Sequence, residues 1–353
     1  LGGLCSFYLT RGELKAAREL GEQRMHLAQS VQDPALLVEA HRTLGATLFW
    51  LGEFASARAH LAQGIALYDS QRHSSQAFLS VQDPRVHCLS YMAWALWSLG
   101  YPDEALERIS EALTLAQELP HSYSQARALL PSAALHQHRR EEQLTLERAE
   151  AAIALSTDQG FPLVLAMGTI LQGWALAEQG QGEEGIVQIR RGITAWRIAG
   201  AEAQGPHCLA LLAEAYGKVG QIEEGLTVLA EALAMVNKNG ERQWEAELYR
   251  LKGELLLAQE GKSQKSKTPE PKSQLPNPQS GAEACFLKAI EVARKQQAKS
   301  LELRAVMSLV RLWQQQGKKA EAHRLLSEVY NWFTEGFDTK DLQEAKALLA
   351  ELG

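Results

Sequence analysis

Cysteine is scarce. The 353 residues hold four, Cys5, Cys88, Cys208 and Cys285, none closer than 77 positions to the next. That spacing excludes CxxC metal and redox motifs and a dense disulfide framework, and reduced thiols in a cytoplasmic setting are the expectation. An excess of one charge is lacking too. The net charge of −6 is too mild to draw nucleic acid or an anionic membrane surface in a general way. The longest apolar run, Phe161 to Leu171, is broken by Pro162 and too short to span a bilayer. Ten histidines supply no HExxH and no third ligand at useful spacing. There is no nucleophile elbow and no arguable pair of catalytic carboxylates. The expectations are therefore no catalysis by this chain, no cofactor, no metal, no direct nucleic-acid partner and no membrane. The chain opens on Leu1, and Leu1–Thr10 already reads as helix interior without a signal-peptide pattern. A piece of a longer protein, with more chain upstream, is expected.

What is present is a folding composition, 46% hydrophobic and 22% charged, and a repeat. Thr43 to Tyr68 reads as a helix, a tight turn at Leu51-Gly52-Glu53 and a second helix. The turn glycine returns at Gly12, Gly52, Gly100, Gly180, Gly220 and Gly317. Gly12 to Gly52 and Gly180 to Gly220 are each 40 residues, and Gly100 to Gly180 is 80, with a degenerate turn expected near Arg139-Arg140. Gly52 to Gly100 is 8 too long, matching a polar segment at 69–76, and Gly220 to Gly317 is 17 too long. That second excess falls on 261–281, which carries four of the eleven prolines and several lysines and reads as a disordered insertion between the helices of one unit. Small residues recur at fixed offsets from the marker: Gly45, Ala93, Gly173 and Ala213 before it; Ala17, Ala57, Ala105, Gly185, Gly225 and Ala322 after it. Small side chains there let two antiparallel helices approach closely. Asp33-Pro34 and Asp83-Pro84 read as caps followed by proline at the first helical position.

This pattern resembles the tetratricopeptide repeat, with a 40-residue period in place of 34. The resemblance implies an all-α, right-handed α-solenoid of about eight helical hairpins filling 1–353, closed by a capping helix at 338–353 in which Asp338 or Thr339 caps the N-terminus. Ala246–Leu256 and Trp332–Leu349 resemble more narrowly the C-terminal repeat region of bacterial multidomain signalling proteins. In those, a class III nucleotide cyclase or another output domain precedes an AAA/STAND-type ATPase. That resemblance implies a non-catalytic regulatory array that contacts a protein, a peptide or upstream domains of its own chain. The alternative is an effector-binding array like that of activators resembling the maltose activator.

In a tetratricopeptide array the first helix of each unit lines the concave surface. Counting back from the turn, the resemblance puts Arg42, Phe49, Trp50, Ser90, Trp94, Trp97, Arg127, His138, Trp174, Lys218, Arg250, Arg304 and Arg311 in a binding groove. Tryptophan and arginine are the usual anchors of interfaces. The same rings also suit the gaps between successive helices, and Trp196, Trp244, Trp313 and Trp332 read as core. His136-Gln137-His138 with Arg139-Arg140 reads as a solvated helix end. Gly180-Gln181-Gly182-Glu183-Glu184-Gly185 matches a dinucleotide fingerprint only formally, because a helix rather than a strand precedes it. Gly261-Lys262-Ser263 lacks the first glycine of a P-loop.

Overall fold

A computed structural model describes residues 2–69, 82–265 and 278–353. Among the described residues there are seventeen helices and no strand, arranged as eight hairpins and one closing helix. The hairpins are α1 (Gly2–Thr10) with α2 (Leu14–Val31), α3 (Pro34–Trp50) with α4 (Phe54–Ala66), and α5 (Pro84–Leu99) with α6 (Pro102–Glu118). Then come α7 (Ser122–His138) with α8 (Glu142–Gln159), α9 (Pro162–Glu178) with α10 (Gly182–Ile198), and α11 (Gly205–Val219) with α12 (Ile222–Asn239). The last are α13 (Glu245–Lys265) with α14 (Pro278–Lys295) and α15 (Lys299–Gln315) with α16 (Lys319–Tyr330), closed by α17 (Lys340–Leu352). The architecture is an α-solenoid. None of these helices is long and apolar enough to cross a membrane.

The turns follow from backbone chemistry. All six marker glycines have φ between +70° and +97°, a region where a Cβ is penalised. In the turn the following residue donates back to the carbonyl five before it, as Glu53 N does to Leu48 O and Tyr101 N to Leu96 O. Arg140 takes the glycine's place in the degenerate turn, at φ +62°. A second ladder, not noticed in the sequence, ends the second helices: Gly160, Gly200 and Gly240, also at positive φ. Asp33 accepts from Ala35 N and Asp83 from Val86 N, each with proline opening the helix. Thr339 is the residue before α17, but its hydroxyl donates to Gly336 O instead of capping the helix. The insertion expected at 261–281 is not all loop: Gly261–Lys265 and Pro278–Gly281 are helical, while 266–277 lies outside the described residues. So does 70–81, which includes most of the other expected excess.

Small residues set the helix spacing. A Cβ on Gly173 of α9 would sit 2.6 Å from the Gly185 carbonyl oxygen and 2.8 Å from Ile189 N of α10, so backbone meets backbone. Gly173→Ala should therefore destabilise by about 1–3 kcal/mol. Better helix propensity, worth about 1 kcal/mol, works against this loss without cancelling it. Gly3→Ala, whose Cβ would meet nothing within 4 Å, is the control and should not destabilise. Urea melts of both variants decide the matter; equal effects would remove the close-approach argument.

The solenoid winds tightly enough to touch itself. The first hairpin meets the sixth, the second meets the seventh, the third meets the eighth, and the fourth meets α17. The contact has one recurring chemistry. Carbonyls at the C-terminal ends of first helices in the lower coil accept from groups at or near the N-terminal ends of first helices in the upper coil. Thr10 O accepts from Glu202 N and Ala203 N, and Trp50 O from Arg242 N and Gln243 N. Trp97 O accepts from Ser300 Oγ, and His138 O from the Arg304 guanidinium. At the last step Arg140 pairs with Asp341 at 3.1 Å and Glu344 at 2.9 Å, and Lys340 with Glu142 at 2.6 Å. Helix C-termini carry partial negative charge and N-termini partial positive charge, so end-to-end seating is favourable along the whole seam.

Candidate functional site

Closure changes what the inner face offers. Phe49, Trp50, Ser90, Trp94, Trp97, His138 and Trp174 are all buried, Trp97 at 2% and Trp174 at 1% exposure. Their polar atoms are satisfied inside the protein, as buried indoles require: Trp50 Nε1 donates to Tyr91 OH, Trp94 Nε1 to Pro131 O and Trp174 Nε1 to Glu214 Oε2. An open track along these residues is therefore not what the structure shows. The axis of the superhelix is plugged where the coils meet. Trp97 lies 4.7 Å from His138 and 5.9 Å from Trp244, ring centre to ring centre, and His207 lies 4.9 Å from Trp244. Burial pushes His207 down to about 4 and holds His138 well below its ordinary value, so both rings are neutral. The His136–Arg140 stretch, expected to be a solvated helix end, is part of this interior: His136, Gln137, His138 and Arg139 are all buried. Conversely Trp332, read as core, is exposed at the rim of the seam, where it edges against Tyr101.

The plug divides the axis into two cavities. The C-terminal one, about 130 Å³, brings together Trp174, Arg250, Arg304 and Arg311 from the expected set. Its charges are matched. Arg250 pairs with Glu247 at 2.7 Å, Arg311 with Glu344 at 2.9 Å, and Arg304 with Asp341 at 2.7 Å. Burial alone would raise the Asp341 carboxyl, but Arg304 and Arg140 outweigh it and hold the group below the usual range. Lys218 lies apart, paired with Glu178 at 3.0 Å.

The N-terminal cavity is larger, about 600 Å³, a size suited to a small ligand. First helices of five hairpins line it, and it holds Arg42, Trp50 and Arg127 from the expected set. Leu36, 39% exposed, lies at its solvent side. Arg24, Glu39, Arg42 and Arg127 are its charged lining residues, three cations against one anion. Arg24 and Arg42 both bind Glu39 Oε2, at 3.3 Å and 2.9 Å, and together they hold that carboxyl below its usual value against the opposing pull of burial. Arg127 donates from Nε to Gln82 Oε1 at 3.3 Å; among the described residues it has no carboxylate partner. His87, 6% exposed, stacks on Tyr91 at 4.5 Å, and its Nδ1 has no hydrogen-bond partner. Inner-face counting missed His87 and Tyr91, which lie three residues before and one residue after the counted Ser90. Among the described residues no group of three or more His, Cys, Asp or Glu is placed to hold a metal. Gly180 and Gly185 belong to helix turns and helix packing, with Gly185 seated against the Gly173 carbonyl.

No family model matches the chain. An uncharacterized protein of Rhizobium meliloti strain 1021 is 23% identical over 256 residues, which are 72% of this chain and 25% of that protein. The chain thus matches about a quarter of the length of that relative. Among solved structures, a Rap protein complexed with competence and sporulation factor superposes with a TM-score of 0.58 at 11% identity, covering 99% of this chain and 96% of that one. Aspartyl phosphate phosphatase F of Bacillus subtilis gives 0.52 at 11% identity, over 90% and 74%. Human IFIT1, solved as a dimer with m7Gppp-AAAA, gives 0.54 at 15% identity, over 98% and 69%. The common ground is a TPR-like repeat solenoid; at these identities it is a statement about fold.

Proposed function

We propose that this chain is a non-catalytic interaction array, the regulatory or sensor part of a longer bacterial signalling protein of the ATPase or nucleotide-cyclase type. Its interaction site is the N-terminal axial cavity, and its partner is a protein segment, including one from its own longer chain. The observation that carries this reading is a 600 Å³ opening lined by first helices of five successive hairpins. An occupant there touches half the solenoid at once. It favours whichever arrangement of the coils fits it better, which is how binding at one end becomes a signal at the other. The relative of which this chain matches a quarter, and two fold relatives solved with bound molecules, accord with it.

The test places a charge at the cavity's apolar edge. Leu36→Glu should weaken calorimetric binding of the rest of the longer protein by about 10-fold, the order expected when an unpaired charge enters an apolar contact. Ile198→Glu, on a site 82% exposed and away from the cavity, should leave it unchanged. The reverse pattern would move the interaction to the outer face. A second reading, an effector-binding array of the maltose-activator type, is favoured by one observation: the plug closes the cavity below and suits a compact occupant.

A further inference from the structure

We propose that the N-terminal cavity binds a compact organic anion with an apolar body, its charged group on Arg127 and His87 Nδ1 and its body against Trp50, Tyr91 and Leu36. This rests on the effector reading above and names the chemistry of that effector.

Three observations converge. The first is charge. Three guanidinium groups and one carboxylate line the cavity, and that carboxylate is already held by two of the three. Arg127 is left over, bonded only to neutral groups, the Gln82 amide and the Tyr91 hydroxyl. An uncompensated cation in a half-buried cavity attracts an anion more strongly than one at an open surface, because the surroundings screen it less. The second is the unmade hydrogen bond. A buried polar atom without a partner leaves its desolvation uncompensated, and His87 Nδ1 is one, on a ring that lines this cavity. Burial first, then Arg42 and Arg127, push His87 well below its ordinary value. The ring is therefore neutral and can offer one N–H to an anion without carrying charge of its own. The third is the wall. Leu9, Leu36, Trp50, Tyr91, Leu163 and Trp196 give an apolar surface around that polar corner, which is the usual make-up of a small-ligand site. The C-terminal cavity lacks the first of these features and is small: its cations are each paired and its volume is about a fifth as large.

A matched pair of dyes tests the proposal on the whole chain. 8-Anilinonaphthalene-1-sulfonate is an aromatic body with one anionic group; N-phenyl-1-naphthylamine is the same ring system without it. One sulfonate dye per chain is expected, bound at least ten times more tightly than the amine. Arg127→Gln should lower the sulfonate's affinity about ten-fold and leave the amine's unchanged, and His87→Phe should act in the same direction more weakly. Leu36→Glu should weaken both dyes, which locates them in the cavity rather than on the exposed Leu4 and Phe7 of α1. Circular dichroism and urea melts identify any variant that has lost its fold; His87→Phe and Arg127→Gln act on different elements, so either alone suffices. Equal affinity for the two dyes, with both weakened by Leu36→Glu, would overturn the anion while leaving a binding cavity. Binding of neither dye, or binding indifferent to Leu36→Glu and Arg127→Gln together, would overturn the cavity as well.

Discussion

Replacing Arg304 by alanine is expected to cost about 3–5 kcal/mol and to part the coils at their C-terminal seam. Arg304 is 7% exposed. It donates to Asp341 Oδ2 at 2.7 Å and to the His138 carbonyl, lies 3.8 Å from Glu247 and sits 5.1 Å over the Trp97 ring. One side chain thus ties α15 to α7, α13, α17 and the axial plug. Its removal leaves two buried carboxylates, Asp341 and Glu247, with fewer counter-charges, and the cost of the variant is mainly that of the groups left behind. Arg311→Ala is the contrast. Its partner Glu344 is also an acid of α17, at 2.9 Å, but both side chains are more than a third exposed, where such pairs are worth about 0–1 kcal/mol. Urea melts at neutral pH measure the difference, and small-angle scattering should show a larger radius for the Arg304 variant alone. Adding Asp341→Leu to Arg304→Met should recover much of the loss, because a buried pair replaced by apolar groups is often tolerated. If Arg304→Ala and Arg311→Ala cost the same, the seam is not held by this network.

The seam also explains how much of the molecule could be read in advance. Turn glycines, Asp-Pro helix starts and small packing residues are local demands of φ, capping and helix distance, and each leaves its mark on a single residue type. Gly52, Asp33 and Gly173 could therefore be placed from their spacing. Whether the inner face is open is not a local property. Trp50 and Trp97 occupy positions that point inward in any such hairpin. They are buried because successive hairpins rotate enough for the second to reach the seventh and the third to reach the eighth. That rotation is the sum of small packing angles, and no single period in the sequence records it. A signal was available at Trp94 and Trp174: an indole on an inward position needs a partner for its N–H, and Pro131 and Glu214 lie about one repeat further along the chain. The same spacing links His87 to the Arg127 corner. Pairing inward-facing polar residues one repeat apart would have pointed to the cavity, which a count within single helices could not.

Glu241→Gln is expected to stabilise the protein by several kcal/mol above pH 8 and to change little near pH 4. Glu241 is fully buried between α12 and α13, beside the seam that joins Arg242 and Gln243 to Trp50. Its Oε2 accepts from Gln204 N at 3.1 Å and its Oε1 has no partner. Burial pushes its carboxyl up to about 8, with the Gln204 and Gln243 contacts pulling only partly the other way. In the unfolded chain a glutamate titrates near 4.3. Between those two values the native state holds a proton that the unfolded state has released, so stability falls as pH rises, by about 1.4 kcal/mol per unit. The loss is complete once pH passes the folded value, and it sums to roughly 4–5 kcal/mol. Glutamine keeps an oxygen for Gln204 N–H and never ionises, so the variant should lack this slope. Asp341, Glu247 and Glu39 work in the opposite sense. Their carboxyls lie below the ordinary range, so they support the fold above their unfolded values and cease to do so as pH falls through the folded ones. The wild-type chain should therefore be most stable in mildly acid solution, weakening toward stronger acid as the seam and cavity ion pairs are protonated, and toward pH 8 as the unfolded chain releases the proton that native Glu241 keeps. Urea melts from pH 4 to 9 on both proteins test this: parallel curves would show that Glu241 is ionised in the native state throughout.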